Sequence, residues 1–241
     1  LAEGAEVDYP GAWNGVQAER KAPVRRIGAA VDASERILEK AVAAEVDVLL
    51  VHHGLFWEEE RRLTGRRYRK TRLLLEHDLG VYASHLPLDR HPDVGNSALL
   101  LRRLGLEPDR TFGSWKGLPL GWSAPVPSGA GLPAATLVER LRETLGGEPR
   151  LLGNGPGQLT RVAAVTGAGA SFLPLAEEDG VDLLVTGEAP HHAWLDAHEF
   201  GLHLLLGGHY LTETLGVKEV SRRAAEALGL EWCFLDDPSG F

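Results

Sequence analysis

The stretch VDVLLVHHGLFW, Val46 to Trp57, is an unbroken apolar run that ends in two adjacent histidines. Such a run suits a strand buried on both faces. In open α/β sheets, ligands gather outside the carboxyl ends of strands like this one. A near-copy, VDLLVTGEAPHH, recurs at Val181 to His192. Both belong to longer copies. Arg161 to Ala189 lies over Arg26 to Gly54 at a constant offset with no gap. Arg26 meets Arg161, Ala29 meets Ala164, Leu38 meets Leu173, Ala41 meets Ala176, and Val46-Asp47 meet Val181-Asp182. Farther on, HDLGVYASH (His77 to His85) resembles HEFGLHLLLGGH (His198 to His209) with a short insertion. That alignment sets His85 beside His209 and Asp89 beside Glu213.

Each copy reads as alternating strands and helices. In the first, RIGAAV (Arg26 to Val31) is a short strand, and Ile37, Leu38, Ala41 and Val42 then recur at helical spacing. Asp32 or Ser34 can cap that helix. A second helix is expected over about Thr71 to His77, and GVYASHLPLD reads as a strand ending in a loop. This order is the signature of an α/β fold with a parallel or mixed sheet and helices on its faces. Between the copies, Gly113 to Pro149 is rich in Gly and Pro. It holds one good helix, with Leu137, Leu141 and Leu145 on one face, and GLPLGWSAPVPS, read as loops or short edge strands. The expected division is a first lobe over 1–112, a connector over 113–149 and a second lobe over 150–241. The lobes are pseudo-symmetric, and facing each other they would bring their strand-end groups into one cleft.

Composition narrows the function classes. At 241 residues the chain can bury a substantial core, as one large domain or two small ones. No apolar run reaches the ~18 residues a membrane span needs. No basic-then-apolar leader opens the chain, and a lone cysteine, Cys233, cannot form an internal disulfide. Both point to the cytoplasm. Methionine is absent, so residues are expected to precede Leu1. A net charge of −9 argues against a broad nucleic-acid surface. The basic cluster RRLTGRRYRKTR, Arg61 to Arg72, reads first as a solvated face. Its sharper reading is an anion or phosphate contact near a site mouth.

The candidate chemistry sits at the strand ends. His52 and His53 end one strand, and His85 and Asp89 follow the next. Glu188, His191 and His192, then His209 and Glu213, hold the corresponding places in the second copy. Imidazole and carboxylate without thiolate suit Zn, Fe, Mn or Ni. Successive side chains on a strand point to opposite sides, so neighbouring His52 and His53 are expected to take one each of two ions. Asp89 and Glu213 are the natural bridges. Two ions about 3.5–4 Å apart would make a two-metal hydrolytic centre. His77, His91, His198 and His203 read as structural or surface residues, and Asp47 and Asp182 as turn or cap residues. A phosphate loop of the G-x-x-x-x-G-K-[ST] kind is missing. GAGA at Gly167 to Ala170 lacks the third glycine of a dinucleotide turn, and tight helix–strand packing accounts for it. Cys233 reads as core.

The chain resembles the Nif-three-like family, also called GTP cyclohydrolase 1 type 2 homologues. The residues that carry the resemblance are NGVQAE (Asn14 to Glu19), VHHGLFW (Val51 to Trp57), SHLPLDRHPDVGNS (Ser84 to Ser97), TGEAPHH (Thr186 to His192), GGHYLTETLGV (Gly207 to Val217) and FLDDPSG (Phe234 to Gly240). The resemblance implies a two-lobed α/β fold with pseudo-twofold halves and mixed sheets. It implies two divalent metal ions per chain, with His52, His53, Asp89, His209 and Glu213 as ligands and Glu213 as the usual bridge. His85 would be a proton-transfer group, and Glu213 would share the catalytic work. The family often has Asp where this chain has Glu188. Longer members carry an inserted domain that the Gly113 to Pro149 connector does not provide. Toroidal homohexamers, trimers of dimers, are implied as well. The implied function is metal-dependent hydrolysis of a nucleotide-like small molecule, GTP among them, with Zn, Fe or Mn as the metal and Arg61 to Arg72 available to a triphosphate. The alternative is a non-catalytic metal-binding scaffold, a metal-handling protein or a regulatory partner.

Overall fold

The computed structural model describes residues 7–57, 62–127 and 131–240. Arg61 of the basic cluster, residues 128–130 of the connector and Leu1 lie outside them. In the first half the elements are β1 (Gly15–Ala18), β2 (Arg26–Asp32), α1 (Glu35–Ala43), β3 (Val48–His53), α2 (Gly65–Glu76), β4 (Gly80–Ala83), α3 (Leu86–Asp89) and α4 (Asn96–Arg103). There follow β5 (Arg110–Trp115), β6 (Leu118–Pro125), α5 (Ala134–Leu145), β7 (Arg150–Gly153), β8 (Arg161–Ala164), a 3-10 turn (Gly169–Phe172), α6 (Leu173–Glu178) and β9 (Leu183–Thr186). The last are α7 (His192–Glu199), β10 (His203–Leu206), α8 (His209–Thr212), α9 (Thr214–Leu228) and β11 (Glu231–Phe234). Among the described residues, no helix is long and apolar enough to cross a membrane.

The chain divides into two compact units, Leu1–Leu88 with Gly216–Asp237 and Asp89–Leu215 with Pro238–Phe241. The first holds a mixed sheet ordered β1-β4-β3-β2-β11. Its β11, β2, β3 and β4 run parallel, and β1 is antiparallel at the edge. Ile37, Leu38 and Ala41 of α1 pack on Leu49, Val51 and Val81. Ser34 caps α1, its Oγ accepting the Ile37 N–H at 3.1 Å. Asp32, the other candidate cap, is engaged elsewhere, as described below.

The second unit holds a mixed sheet ordered β5-β6-β8-β9-β10-β7, with β8, β9 and β10 parallel. Alternate residues of β8 and β9 enter different cores. Val162, Ala164, Leu183 and Val185 pack with Leu137 and Leu141 of α5, while Ala163 and Leu184 pack with Leu173 and Leu204. Burial on both faces explains the unbroken apolar runs. Two expectations shift. β6 is an interior strand, paired with β5 and β8, rather than a loop or edge. α2 begins at Gly65, six residues before the expected Thr71, through the Arg-rich segment. Pairing draws the compact units, since β11 joins β2 and the β5–β6 hairpin joins β8. The segments 1–112, 113–149 and 150–241 instead follow the order of the chain.

The internal repeat is physical. Ile27, Gly28 and Ala29 pair with Val48, Leu49 and Leu50. Val162, Ala163 and Ala164 pair with Leu183, Leu184 and Val185, the same register under the sequence offset. Asp47 Oδ2 accepts the N–H groups of Arg25 and Arg26 at 2.7 and 3.0 Å. Asp182 Oδ2 does the same for Thr160 and Arg161 at 2.5 and 3.0 Å. Both aspartates thus lock the entry to the first strand of their copy, a structural role, but one that reaches back 21–22 residues rather than capping a local turn as expected. The copies drift apart by one residue at their third strand. Ser84 N–H bonds Val51 O and Gly207 N–H bonds Thr186 O, so His85 is level with Gly208, and His209 comes one residue later.

Two predictions follow from the paired turns. Glu45 sits at φ 53° where its counterpart, Gly180, sits at φ 65°. Glu45 pays the left-handed penalty that glycine avoids. Glu45→Gly is therefore expected to stabilise by about 0.5–1 kcal/mol, read as a higher denaturation midpoint; a lower midpoint would contradict this. Burial would raise the Asp47 carboxyl pKa, but the Arg25 and Arg26 N–H groups and the Arg20 guanidinium outweigh it and hold it below 3.8. A depressed folded pKa contributes stability above the ordinary value, and the contribution is lost as pH falls through the folded one. Asp47→Asn should destabilise at neutral pH, with the difference shrinking below pH 3.8 in urea melts.

Candidate metal centre

Three imidazoles converge in the first unit. His52 is fully buried near the end of β3, His53 is the last residue of that strand, and His85 follows β4. His52 Nδ1 lies 3.0 Å from the Ser84 carbonyl oxygen. A carbonyl can only accept, so Nδ1 carries the proton and Nε2 the lone pair. His53 Nδ1 lies 2.9 Å from Asp32 Oδ1, and His85 Nδ1 lies 2.8 Å from Asp8 Oδ1. Each Nδ1–H therefore donates to a protein oxygen, the arrangement that fixes metal-ligating histidines. Ring centroids lie 4.7 Å apart for His52–His53, 4.9 Å for His52–His85 and 5.4 Å for His53–His85. One ligand atom from each of the three lies within 4.8 Å of the others.

This geometry modifies an expectation. Strand alternation predicts that His52 and His53 diverge, yet their rings lie side by side. His53 is the terminal residue of β3, and Asp32, its partner across the β2–β3 ladder, draws its ring. His85 also brings a ring nitrogen within 4.8 Å of theirs.

Asp8 is the anchor of this cluster. Besides His85, its carboxylate accepts the Asn14 amide at 2.9 Å and the N–H groups of Tyr9 and Leu86 at 2.6 and 3.1 Å. Burial would push its pKa up; the bonds from His85, Asn14 and Tyr9 more than offset that and keep it below the usual carboxylate value. Asn14 Oδ1 in turn accepts the His85 backbone N–H at 2.7 Å.

The second unit supplies a carboxylate-rich set. His209 opens α8 and Glu213 follows its last turn. His209 Nε2 lies 3.2 Å from Glu213 Oε1, and its Nδ1 lies 3.0 Å from Glu188 Oε1. The Glu213 hydrogen bond, against the pull of burial and aided by Glu188, raises the His209 pKa to about 9. Two carboxylates closing on both ring nitrogens mark a place for positive charge, whether a proton or a cation. Glu213 is only 3% exposed. Gly167 (φ 66°) makes room for it: a Cβ there would sit 2.3 Å from Glu213 Oε1 and 3.3 Å from His209 Nε2. Asp89, also buried, accepts at Oδ1 from Asn96 Nδ2 at 2.8 Å and Thr166 Oγ1 at 3.1 Å. Imidazole and carboxylate donors with tethered second atoms fit a borderline divalent metal such as Zn, Fe or Mn.

Other singled-out residues make contacts of their own. His191 and His192 are exposed at the start of α7. His203 Nε2–H donates to the Pro156 carbonyl at 3.2 Å. His91 Nδ1 accepts the N–H groups of Asp93 and Val94. His77 is exposed, and exposed His198 lies edge-on to Trp194, with ring centroids 5.2 Å apart. In the basic cluster, Arg69 bonds Glu35 at 2.6 Å, Lys70 bonds the Ala33 carbonyl at 2.6 Å, and Arg72 pairs with Glu76 at 3.3 Å.

Sequence reasoning missed Asp8, Asp32 as a histidine partner, Asn96, Thr166 and the steric role of Gly167. For Asp32 a signal existed: parallel pairing of the two runs sets it opposite His53. Asp32→Ala is expected to weaken metal binding about 10–100-fold, the usual cost of losing a residue that orients a ligand. Competition against a chromophoric chelator measures this; wild-type affinity in the variant would contradict it.

The model of the DUF34/NIF3 family (NGG1p interacting factor 3) matches residues 6–239. A relative from Deinococcus radiodurans, named GTP cyclohydrolase 1 type 2 homolog, is 37% identical over 94% of this chain and 86% of its own length. One of the same name from Archaeoglobus fulgidus is 40% identical over 94% of this chain and 89% of its own length. Among solved structures, the protein ybgI, described as of unknown function, superposes with a TM-score of 0.89 at 34% identity, covering 99% of this chain and 94% of that one. A Thermus thermophilus protein gives a TM-score of 0.88 at 38% identity with the same coverage. With the match running almost end to end, the chain belongs to the DUF34/NIF3 family.

Proposed function

We propose that this chain is a dinuclear metal-binding protein that acts as a metal-dependent hydrolase on a nucleotide-like small molecule, of the GTP cyclohydrolase type. The observation that carries the reading is the set of three imidazoles whose Nδ1–H groups are all tied to protein oxygens, leaving Nε2 as the donor atom. The proposed ligands are His52, His53, Asp89, His209 and Glu213. The names of the curated relatives support the substrate class.

Two divalent ions, when bound, would supply the Lewis acidity and water activation that hydrolysis requires. The chain's own residues do the rest. Ser84 and Asp32 hold His52 and His53 in one tautomer. His85, oriented by Asp8, is the proposed group that takes and returns a proton at Nε2. Glu213 holds charge at the centre and is the second proposed catalytic residue. The reading includes a cytoplasmic homohexamer, a trimer of dimers, by family resemblance.

Glu213→Gln keeps the shape and removes the charge. It is expected to lower GTP turnover about 100-fold or more and to loosen metal. Unchanged turnover in the variant would defeat the assignment. A wild-type protein that holds metal but turns over neither GTP nor other nucleotides would favour a non-catalytic metal scaffold instead.

A further inference from the structure

Two side-chain donors meet the Asp89 carboxylate at the same oxygen. Asn96 Nδ2 and Thr166 Oγ1 both donate to Oδ1, at 2.8 and 3.1 Å. An ionised carboxylate oxygen has about two lone-pair sites, so these bonds use up Oδ1. A metal ion held by Asp89 is then met through Oδ2.

All three residues belong to the second unit, and both donors are fixed in place. Asn96 opens α4, whose Leu100 and Leu101 share a core with Val162 and Ala164 of β8. Thr166 lies two residues beyond β8, and its own N–H donates to Ser97 Oγ at 3.3 Å. Asn96 and Ser97 are fully buried, and Thr166 is buried too. Burying an amide or a hydroxyl costs stability unless it finds a partner. The internal repeat shows that the frame does not need the hydroxyl. Where the second copy has Thr166, the first has Val31, also buried. The hydroxyl in the second copy serves Asp89.

Holding a carboxylate to one oxygen affects which ions suit it. Zn takes a compact shell of about four donors. Larger, oxygen-seeking ions gather more oxygens, and a carboxylate can serve them with both of its own; Ca is the type case, and Mn shares the preference for carboxylate. We infer that Asn96 and Thr166 are specificity-determining residues: by occupying Oδ1 they confine Asp89 to one-oxygen ligation and bias the centre toward a small ion such as Zn over a larger one such as Mn. The inference rests on the metal-binding part of the proposed function, with Asp89 as a ligand, and not on hydrolysis.

The test is the affinity of the full chain for Zn and for Mn, each read by competition against a chromophoric chelator. Thr166→Val keeps the shape and removes the hydroxyl, Asn96→Leu removes the amide, and Thr166→Ser keeps the hydroxyl. The first two should each lower the preference for Zn over Mn about 10-fold or more, the usual size of an effect on a ligand's hydrogen-bond partner. Thr166→Ser should retain the wild-type preference. An unchanged preference in the first two variants, or equal loss of both ions, would overturn the inference, since the donors would then only brace the fold. Should those variants not fold, infrared difference spectra of wild-type protein with isotopically labelled aspartate, Zn-loaded minus metal-free, decide the matter. Widely split carboxylate bands that vanish in Asp89→Asn are expected; narrowly split bands, the mark of two-oxygen ligation, would overturn it. Asp89→Asn that holds both ions as tightly as wild type would defeat the ligand assignment in the proposed function, and the inference with it. A shifted preference in protein that turns over no nucleotide would support the inference and count against the hydrolase reading alone.

Discussion

An imidazole can offer a metal only one nitrogen at a time, and it does so reliably only when the other is held. In this chain, Nδ1 of His52, His53 and His85 is held by Ser84, Asp32 and Asp8. Much of the first unit's architecture serves that constraint. The β3–β4 ladder brings the Ser84 carbonyl beside His52. The β2–β3 ladder brings Asp32 opposite His53. The segment before β1 delivers Asp8 and Asn14 to His85. Loss of any tether would free a ring to change tautomer or rotate, at a cost in metal affinity.

The second unit reuses the same β-α-β frame with different chemistry. Where the first copy has His52 and His53, the second has Gly187 and Glu188. The glycine is required by close packing, since a Cβ at Gly187 would be 2.6 Å from both the Gly167 oxygen and the His209 Cα. The glutamate holds His209 from the Nδ1 side. One copy is therefore rich in imidazole and the other in carboxylate. A duplicated scaffold has diverged at its strand ends while the register of its first two strands and its Asp47 and Asp182 locks stayed fixed.

Much of this was legible in the sequence. The offset between the copies foretold the register of their first two strands residue by residue, because that stretch aligns without a gap; at the third strand, where the alignment needs an insertion, it set His85 beside His209 and was one residue out. The strand-end histidines also stood out. What was not legible depends on contacts between distant segments. Asp8 lies 77 residues from the histidine it holds, and Thr166 lies 77 residues from Asp89. β6 looked like a loop because its Gly and Pro content hides its pairing on both sides. The local sequence permits either Asp32 or Ser34 as the helix cap; Ser34 takes the role, and Asp32 holds His53.

The central claim is that the tethered imidazoles and buried carboxylates exist to hold metal. Elemental analysis of metal per chain, on protein purified without chelators or a histidine tag, tests it most directly. The account predicts about two divalent ions per chain. Protein that binds none, even after reconstitution with Zn, Fe or Mn, would contradict it.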